Sequence, residues 1–116
     1  LNCSTGPEEM RDSVAYLAEK SPIPISIMPN AGIPANEGTG DAVYPLGPVE
    51  FAEAMEEFVK SRGIAIAGGC CGTTYEHIRR LAERVKGLKP LARTVPYEPA
   101  ISSIVPWAKG WSSSLP

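Results

Sequence analysis

Long apolar runs are missing from this 116-residue chain, and so is any cluster of lysine and arginine. Without the first, no stretch can span a bilayer, so a membrane partner is not expected. Without the second, and with a formal net charge of -2 and a pI near 5.4, a nucleic-acid face is not expected either. No basic-then-apolar segment opens the chain, so no secretory signal is visible. Histidine occurs once, at His77, and no Cys-x-x-Cys pair is present, so nothing completes a closed structural zinc site. Cysteine is scarce and odd in number: Cys3, Cys70 and Cys71. Adjacent Cα atoms lie about 3.8 Å apart, below the usual disulfide span of roughly 4.4–6.8 Å. An odd set with a neighbouring pair is a poor disulfide framework. It reads better as a metal or redox set in a reducing compartment, by default the cytoplasm.

What is present is ordinary globular composition, 43% hydrophobic and 21% charged, arranged as strand followed by helix. Leu1-Asn2-Cys3 looks like the end of a strand. Ser4-Thr5-Gly6-Pro7 turns, with Pro7 suited to a first helical position. Met10, Val14, Leu17 and Ala18 then predict a helix over 8–20, ended by Ser21-Pro22. A second unit starts with the β-branched run 23–28 and stops at Pro29-Asn30-Ala31-Gly32. A long Gly/Pro/Asn-rich loop over 33–48 leads to a helix over 49–61. That helix carries Phe51, Ala54, Met55, Phe58 and Val59 on one face, and Gly63 fits the left-handed position beyond its end. In the third unit, Ile64-Ala65-Ile66-Ala67 precedes Gly68-Gly69-Cys70-Cys71-Gly72-Thr73-Thr74 and a helix over 75–86. Thr73 with Glu76 reads as a capping box, and Ile78, Leu81, Ala82 and Val85 as the buried stripe. The charged residues of the helices read as a solvated face, and His77 as a partly exposed helix residue.

Alternating strand and helix with short returns predicts a parallel α/β sheet, either a small open sheet or an arc of a (β/α)8 barrel. In both, the three strands end on one edge. Cys3, the turn at Asn30 and the Cys70-Cys71 pair would then face one mouth. After residue 88 the chain is rich in proline and serine with no sustained period, as in a linker or tail, and Trp107 and Trp111 are its exceptions. The first residue is Leu1 rather than Met, directly on a motif, so the natural start is expected upstream.

Three thiolates can hold zinc with one coordination position open, as catalytic rather than structural sites do. A dication with three thiolates carries a charge of about -1, which makes it a poor generator of hydroxide. It suits a fourth sulfur, because a free thiol of pKa about 8.5 is mostly protonated at neutral pH until coordination removes the proton. This is a design for alkylating a thiol rather than for hydrolysis. Gly68 and Gly69 would permit unusual dihedrals before the ligands, and the following helix N-terminus would favour ionised sulfur. Taken singly, Cys3 could be a small core residue, and Asn30 an ordinary turn residue.

In this order, Leu1-Asn2-Cys3-Ser4-Thr5-Gly6-Pro7, Pro29-Asn30-Ala31-Gly32 and Gly68-Gly69-Cys70-Cys71-Gly72-Thr73-Thr74 with Glu76-His77-Ile78 resemble the homocysteine S-methyltransferase family. The likeness is greatest to the C-terminal part of the homocysteine-binding domain of its cobalamin-dependent members. Tyr75 stands where the family usually has proline, and Ala65 where asparagine is frequent. The resemblance implies that residues 1–88 are the last three strand–helix units of a (β/α)8 TIM barrel. Residues 89–116 would be a tail toward a folate-binding module absent from this chain. It implies zinc on Cys3, Cys70 and Cys71, and homocysteine as substrate, with Asn2 and Asn30 as the expected substrate-binding residues. The donor would be methylcobalamin, its cobalamin carried on another module. Betaine or S-methylmethionine as donor, or a non-catalytic zinc or thiol module, are the competing expectations. So partial a barrel would leave sheet edges and an apolar interior uncovered.

Overall fold

The computed structural model describes residues 1–36, 40 and 42–97. The expectations for Trp107, Trp111 and the end of the tail lie outside them. Residues 1–3 run beside Met28: the Met28 N–H donates to the Leu1 carbonyl at 3.0 Å and the Cys3 N–H to the Met28 carbonyl at 2.9 Å. Asn2 and Met28 thereby form a parallel bridge. Helix α1 spans Arg11–Lys20, three residues shorter at its start than apolar spacing predicts. The Met10 and Arg11 N–H groups bond to the Pro7 and Glu8 carbonyls, both at 3.2 Å. This tighter winding makes Pro7 the opening of a turn rather than the first helical residue. Met10 and Val14 are buried, Leu17 and Ala18 pack against the same core, and the helix ends at Ser21 as expected.

Strand β1 covers Ser26–Ile27. The long loop that follows is not structureless: strands β2 (Ala35–Asn36) and β3 (Ala42–Val43) pair antiparallel within it. Two-residue strands carry no readable alternation, which is why sequence periodicity passes over them. Helix α2 spans Pro48–Arg62 and buries Phe51, Ala52, Met55, Phe58 and Val59; Ala52 replaces the expected Ala54. Gly63 takes φ 65° and ψ 36°, the left-handed cap that the sequence predicts. Strand β4, Ile66–Ala67, lies parallel to β1, with Ser26 opposite Ile66 and Ile27 opposite Ala67. The three strand segments therefore lie side by side in chain order, as consecutive strand–helix units do.

Helix α3 spans Tyr75–Val85, but its inner face is rotated from the expected stripe. His77 and Leu81 are buried, while Ile78 and Ala82 are exposed. The turn of the helix is set at its start by Thr74 and His77, not by Thr73 and Glu76. The Thr74 N–H donates to His77 Nδ1 at 3.2 Å, and Glu76 instead pairs with Arg79 and Arg80. The charged residues are also more than a solvated face. Arg84 of α3 reaches Glu53 and Glu56 of α2 at 2.5 and 2.8 Å, and Arg11 of α1 reaches Glu57 of α2 at 2.9 Å.

Ile25, Ile27 and Ile64 meet Val14, Phe51, Met55, Phe58 and Leu81 in one core between sheet and helices. The other face of the sheet is open, with Ile66 54% and Met28 37% exposed. Beyond α3 the chain turns back. The Leu91 N–H donates to the Val59 carbonyl at 3.2 Å. The Arg93 guanidinium donates to the carbonyls of Ala18 at 3.0 Å, Leu17 at 3.2 Å and Ser21 at 2.5 Å, closing the end of α1.

Candidate metal centre

All three cysteines lie just past strand ends, and the turn at Asn30 ties their motifs together. The Asn30 N–H donates to the Thr5 carbonyl at 2.9 Å, and the Cys70 N–H to the Pro29 carbonyl at 2.8 Å. The Ala31 N–H donates to the Cys71 carbonyl at 2.9 Å, and Asn30 Oδ1 accepts the Cys71 N–H at 3.2 Å. Asn30 is only 3% exposed. Its carboxamide is thus a brace for the Cys71 backbone, which ordinary turn chemistry in the sequence does not announce. Asn2 is exposed, one residue before the first cysteine.

Unusual dihedrals occur on both sides, though not at Gly68 or Gly69. Cys3 and Ser4 are left-handed, with φ 62° and 71°, and Gly72 follows the pair with φ 76°. Non-glycine residues in that region cost of order 1–3 kcal/mol each and persist where their surroundings hold them. Here the parallel bridge on one side and the Thr5–Asn30 bond on the other do so. Thr73 closes the second turn, its N–H donating to the Cys70 carbonyl at 3.1 Å and its hydroxyl to the same oxygen at 2.6 Å.

These constraints gather the sulfurs. Cys3 Sγ lies 3.6 Å from Cys71 Sγ, and Cys70 Sγ lies 3.9 Å from Cys71 Sγ. All three ligand atoms fall within 4.8 Å of one another, and all three cysteines are free. Four ligands at a Zn–S distance of about 2.3 Å in a tetrahedron stand about 3.8 Å apart, so the spacing fits three corners of a zinc-sized site. Cys3 and Cys70 are half-buried and Cys71 is exposed, which leaves one side accessible.

Charge is unequal across the set. The Ser4 backbone N–H, then the Cys70 and Cys71 thiols, hold Cys3 below the ordinary thiol range. Its bond to Cys3, then burial, pushes Cys70 up. Of these two, Cys3 is the thiol more readily ionised. Tyr44, half-buried in the segment between β3 and α2, lays its ring over Gly72 next to the pair; its interaction with Cys71, then burial, pushes the phenol up.

His77 is not the partly exposed residue expected from sequence. It is 6% exposed, edge-on to Phe51 with ring centroids 5.5 Å apart. Its Nε2 lies 2.9 Å from the Leu46 carbonyl, which can only accept, so Nε2 carries the proton and Nδ1 receives the Thr74 N–H. His77 is a strut between α3 and the segment holding Tyr44, and stands apart from the sulfurs. No spacing rule links positions 44, 46 and 77, so sequence reading misses this support.

A trio of free cysteines gathered at the strand ends of a parallel α/β unit is a group that could hold a metal ion. The family follows from comparison: residues 1–85 match the sequence profile of homocysteine S-methyltransferase, and the chain belongs to that family. It is 46% identical over 112 residues to the methionine synthase of Mycobacterium tuberculosis (strain ATCC 25618 / H37Rv), covering 94% of this chain and 9% of that protein. It is 45% identical over 117 residues to the methionine synthase of Mycobacterium leprae (strain TN), covering 94% of this chain and 10% of that protein. The chain thus spans about a tenth of the length of these curated relatives. Among the described residues, no helix is long and apolar enough to cross a membrane.

Proposed function

We propose that this chain is part of a zinc-dependent methyltransferase of the methionine synthase type, which prepares homocysteine for methylation to methionine. The observation that carries this reading is the sulfur triangle, with edges of 3.6 and 3.9 Å at Cys71. Cys3, Cys70 and Cys71 would hold the metal. Zinc held there would supply Lewis acidity, favouring the thiolate form of a substrate thiol. Asn30 fixes the Cys71 backbone, Ser4 supplies the N–H that favours charge on Cys3, and the open side at Cys71 admits the substrate. Asn2 and Asn30 are the proposed substrate contacts.

Residues 1–88 are proposed as the last three strand–helix units of a (β/α)8 barrel, with 89–116 leading toward a folate-binding module. The exposed Ile66 and Met28 support this, since they stand where barrel-lining side chains would meet further strands. The names of the relatives favour methylcobalamin over betaine or S-methylmethionine as donor, with cobalamin and folate carried by other modules of a longer polypeptide. Free cysteines favour the cytoplasm.

The test uses the full-length protein. One zinc per chain is expected, falling to near zero in Cys70→Ser, and homocysteine should change the thiolate-to-cobalt absorption of the cobalt-substituted form. A metal-loaded protein whose spectrum ignores homocysteine would leave only a non-catalytic thiol module. Turnover with betaine or S-methylmethionine but not with methylcobalamin would reassign the donor.

A further inference from the structure

The Cys71 backbone is gripped on both sides. Its N–H donates to Asn30 Oδ1 at 3.2 Å, and its carbonyl accepts the Ala31 N–H at 2.9 Å. The Ala31 carbonyl in turn accepts the Leu46 N–H at 3.0 Å, and the Leu46 carbonyl accepts from His77 Nε2 at 2.9 Å. On the far side of the imidazole, Nδ1 receives the Thr74 N–H at 3.2 Å and lies 2.9 Å from the Thr74 hydroxyl. Thr74 stands three residues after Cys71, so the bonds close a circuit that runs from Cys71 through Thr74, His77, Leu46 and Ala31 and returns. Two of its links are shut off from water, Ala31 at 1% and His77 at 6% exposure. Phe51, edge-on to the imidazole, fixes the plane of the ring.

We infer that His77 is a positioning residue of the metal centre, its Nε2–H aligning Leu46 and, through Ala31, the backbone that carries the Cys71 sulfur. The inference rests on the zinc reading above. Cys71 is the exposed member of the trio, so the direction of its sulfur is set at the backbone. An imidazole protonated at Nε2 alone can donate to Leu46 and accept from Thr74 at once. Losing the donor frees one end of the Leu46 peptide, and the slack passes to the bond between Ala31 and Cys71. Outer partners that orient metal ligands typically matter by about 10–100-fold in metal affinity. His77 stands further out than a direct partner of a ligand, so the lower end of that range is expected. It touches neither metal nor substrate in this role.

The experiment compares two variants of the full-length protein. Glutamine carries its amide nitrogen about as far out as imidazole Nε2, so His77→Gln keeps a donor for Leu46. Asparagine ends near the Nδ1 position, so His77→Asn keeps a partner for Thr74 and releases Leu46. Zinc affinity by chelator competition should fall about tenfold in His77→Asn and stay near that of the unaltered protein in His77→Gln. The thiolate-to-cobalt band of the cobalt form should shift in the asparagine variant alone. A merely structural histidine would lower the melting temperature of both variants without separating them in metal affinity. A second measurement needs neither variant to fold: in the unaltered protein, removing zinc should raise deuterium uptake in the peptide that contains Leu46. Equal zinc affinities with an unmoved band, or uptake at Leu46 indifferent to zinc, overturn the role of His77 alone in a protein that binds one zinc. If the unaltered protein binds no zinc, the reading of the centre fails and this role falls with it.

Discussion

The Asn30 carboxamide accepts the Cys71 N–H from a position almost closed to water. Asn30→Ala leaves that N–H without its partner, and the expected loss of stability is about 1–3 kcal/mol, read from chemical denaturation of the full-length protein. Asn30→Asp keeps an acceptor and should recover part of it. Equal stability of the alanine variant and the unaltered protein would mean that the turn holds without the brace. The cysteines themselves are legible in sequence, because an adjacent pair flanked by glycines has few other uses. Asn30, His77 and Tyr44 are less so. Their partners at Cys71, Leu46 and Gly72 are brought near by the sheet and by the long loop, and nothing local at each residue encodes that meeting.

Helix α3 starts with its own acid–base pattern. Arg79, then Arg80, holds the Glu76 carboxyl far down, from an ordinary 4.5 to about 2. A carboxyl depressed on folding contributes stability above its unfolded pKa and loses it as pH falls through the folded one. The pairs are exposed, so the contribution is modest and weakens with salt. Glu76→Gln should flatten the acid limb between about pH 4.5 and 2 in circular-dichroism titrations, and an unchanged limb would remove Glu76 from the account. Helix positions were readable from the 3.6-residue period and the caps at Ser21 and Gly63. The inner face of α3 was not: Ile78 looks the better core residue, yet His77 goes inside because Leu46, Thr74 and Phe51 satisfy its polar and aromatic parts together. The β2–β3 hairpin inside the long loop was equally hidden, since strands this short leave no alternation to read.

At the scale of the molecule, one sheet face is covered by helices and the other shows Ile66 and Met28 to solvent. Parallel sheets are stable when both faces are covered. The 116 residues alone should therefore unfold without a sharp transition, aggregate readily and transfer no methyl group. A cooperative melt with turnover by the isolated chain would overturn the placement of this unit within a larger barrel. Sequence alternation gave away the parallel pairing of the strands, whereas which sheet face the helices leave bare was not legible in it.

Cys3 and Cys71 stand 68 positions apart, yet their sulfurs nearly touch. A cation gripped by both acts as a clasp on a long loop, tying the outermost strand segment to the far side of the sheet. Closing so long a loop is where a metal clip gains most against the unfolded chain. Stripping such an ion would thus release more than a reagent: residues 1–3 would lose the sulfur link and stay on the sheet through backbone bonds to Met28 and Ser26. On the zinc reading, loading the centre and docking that strand would become a single event.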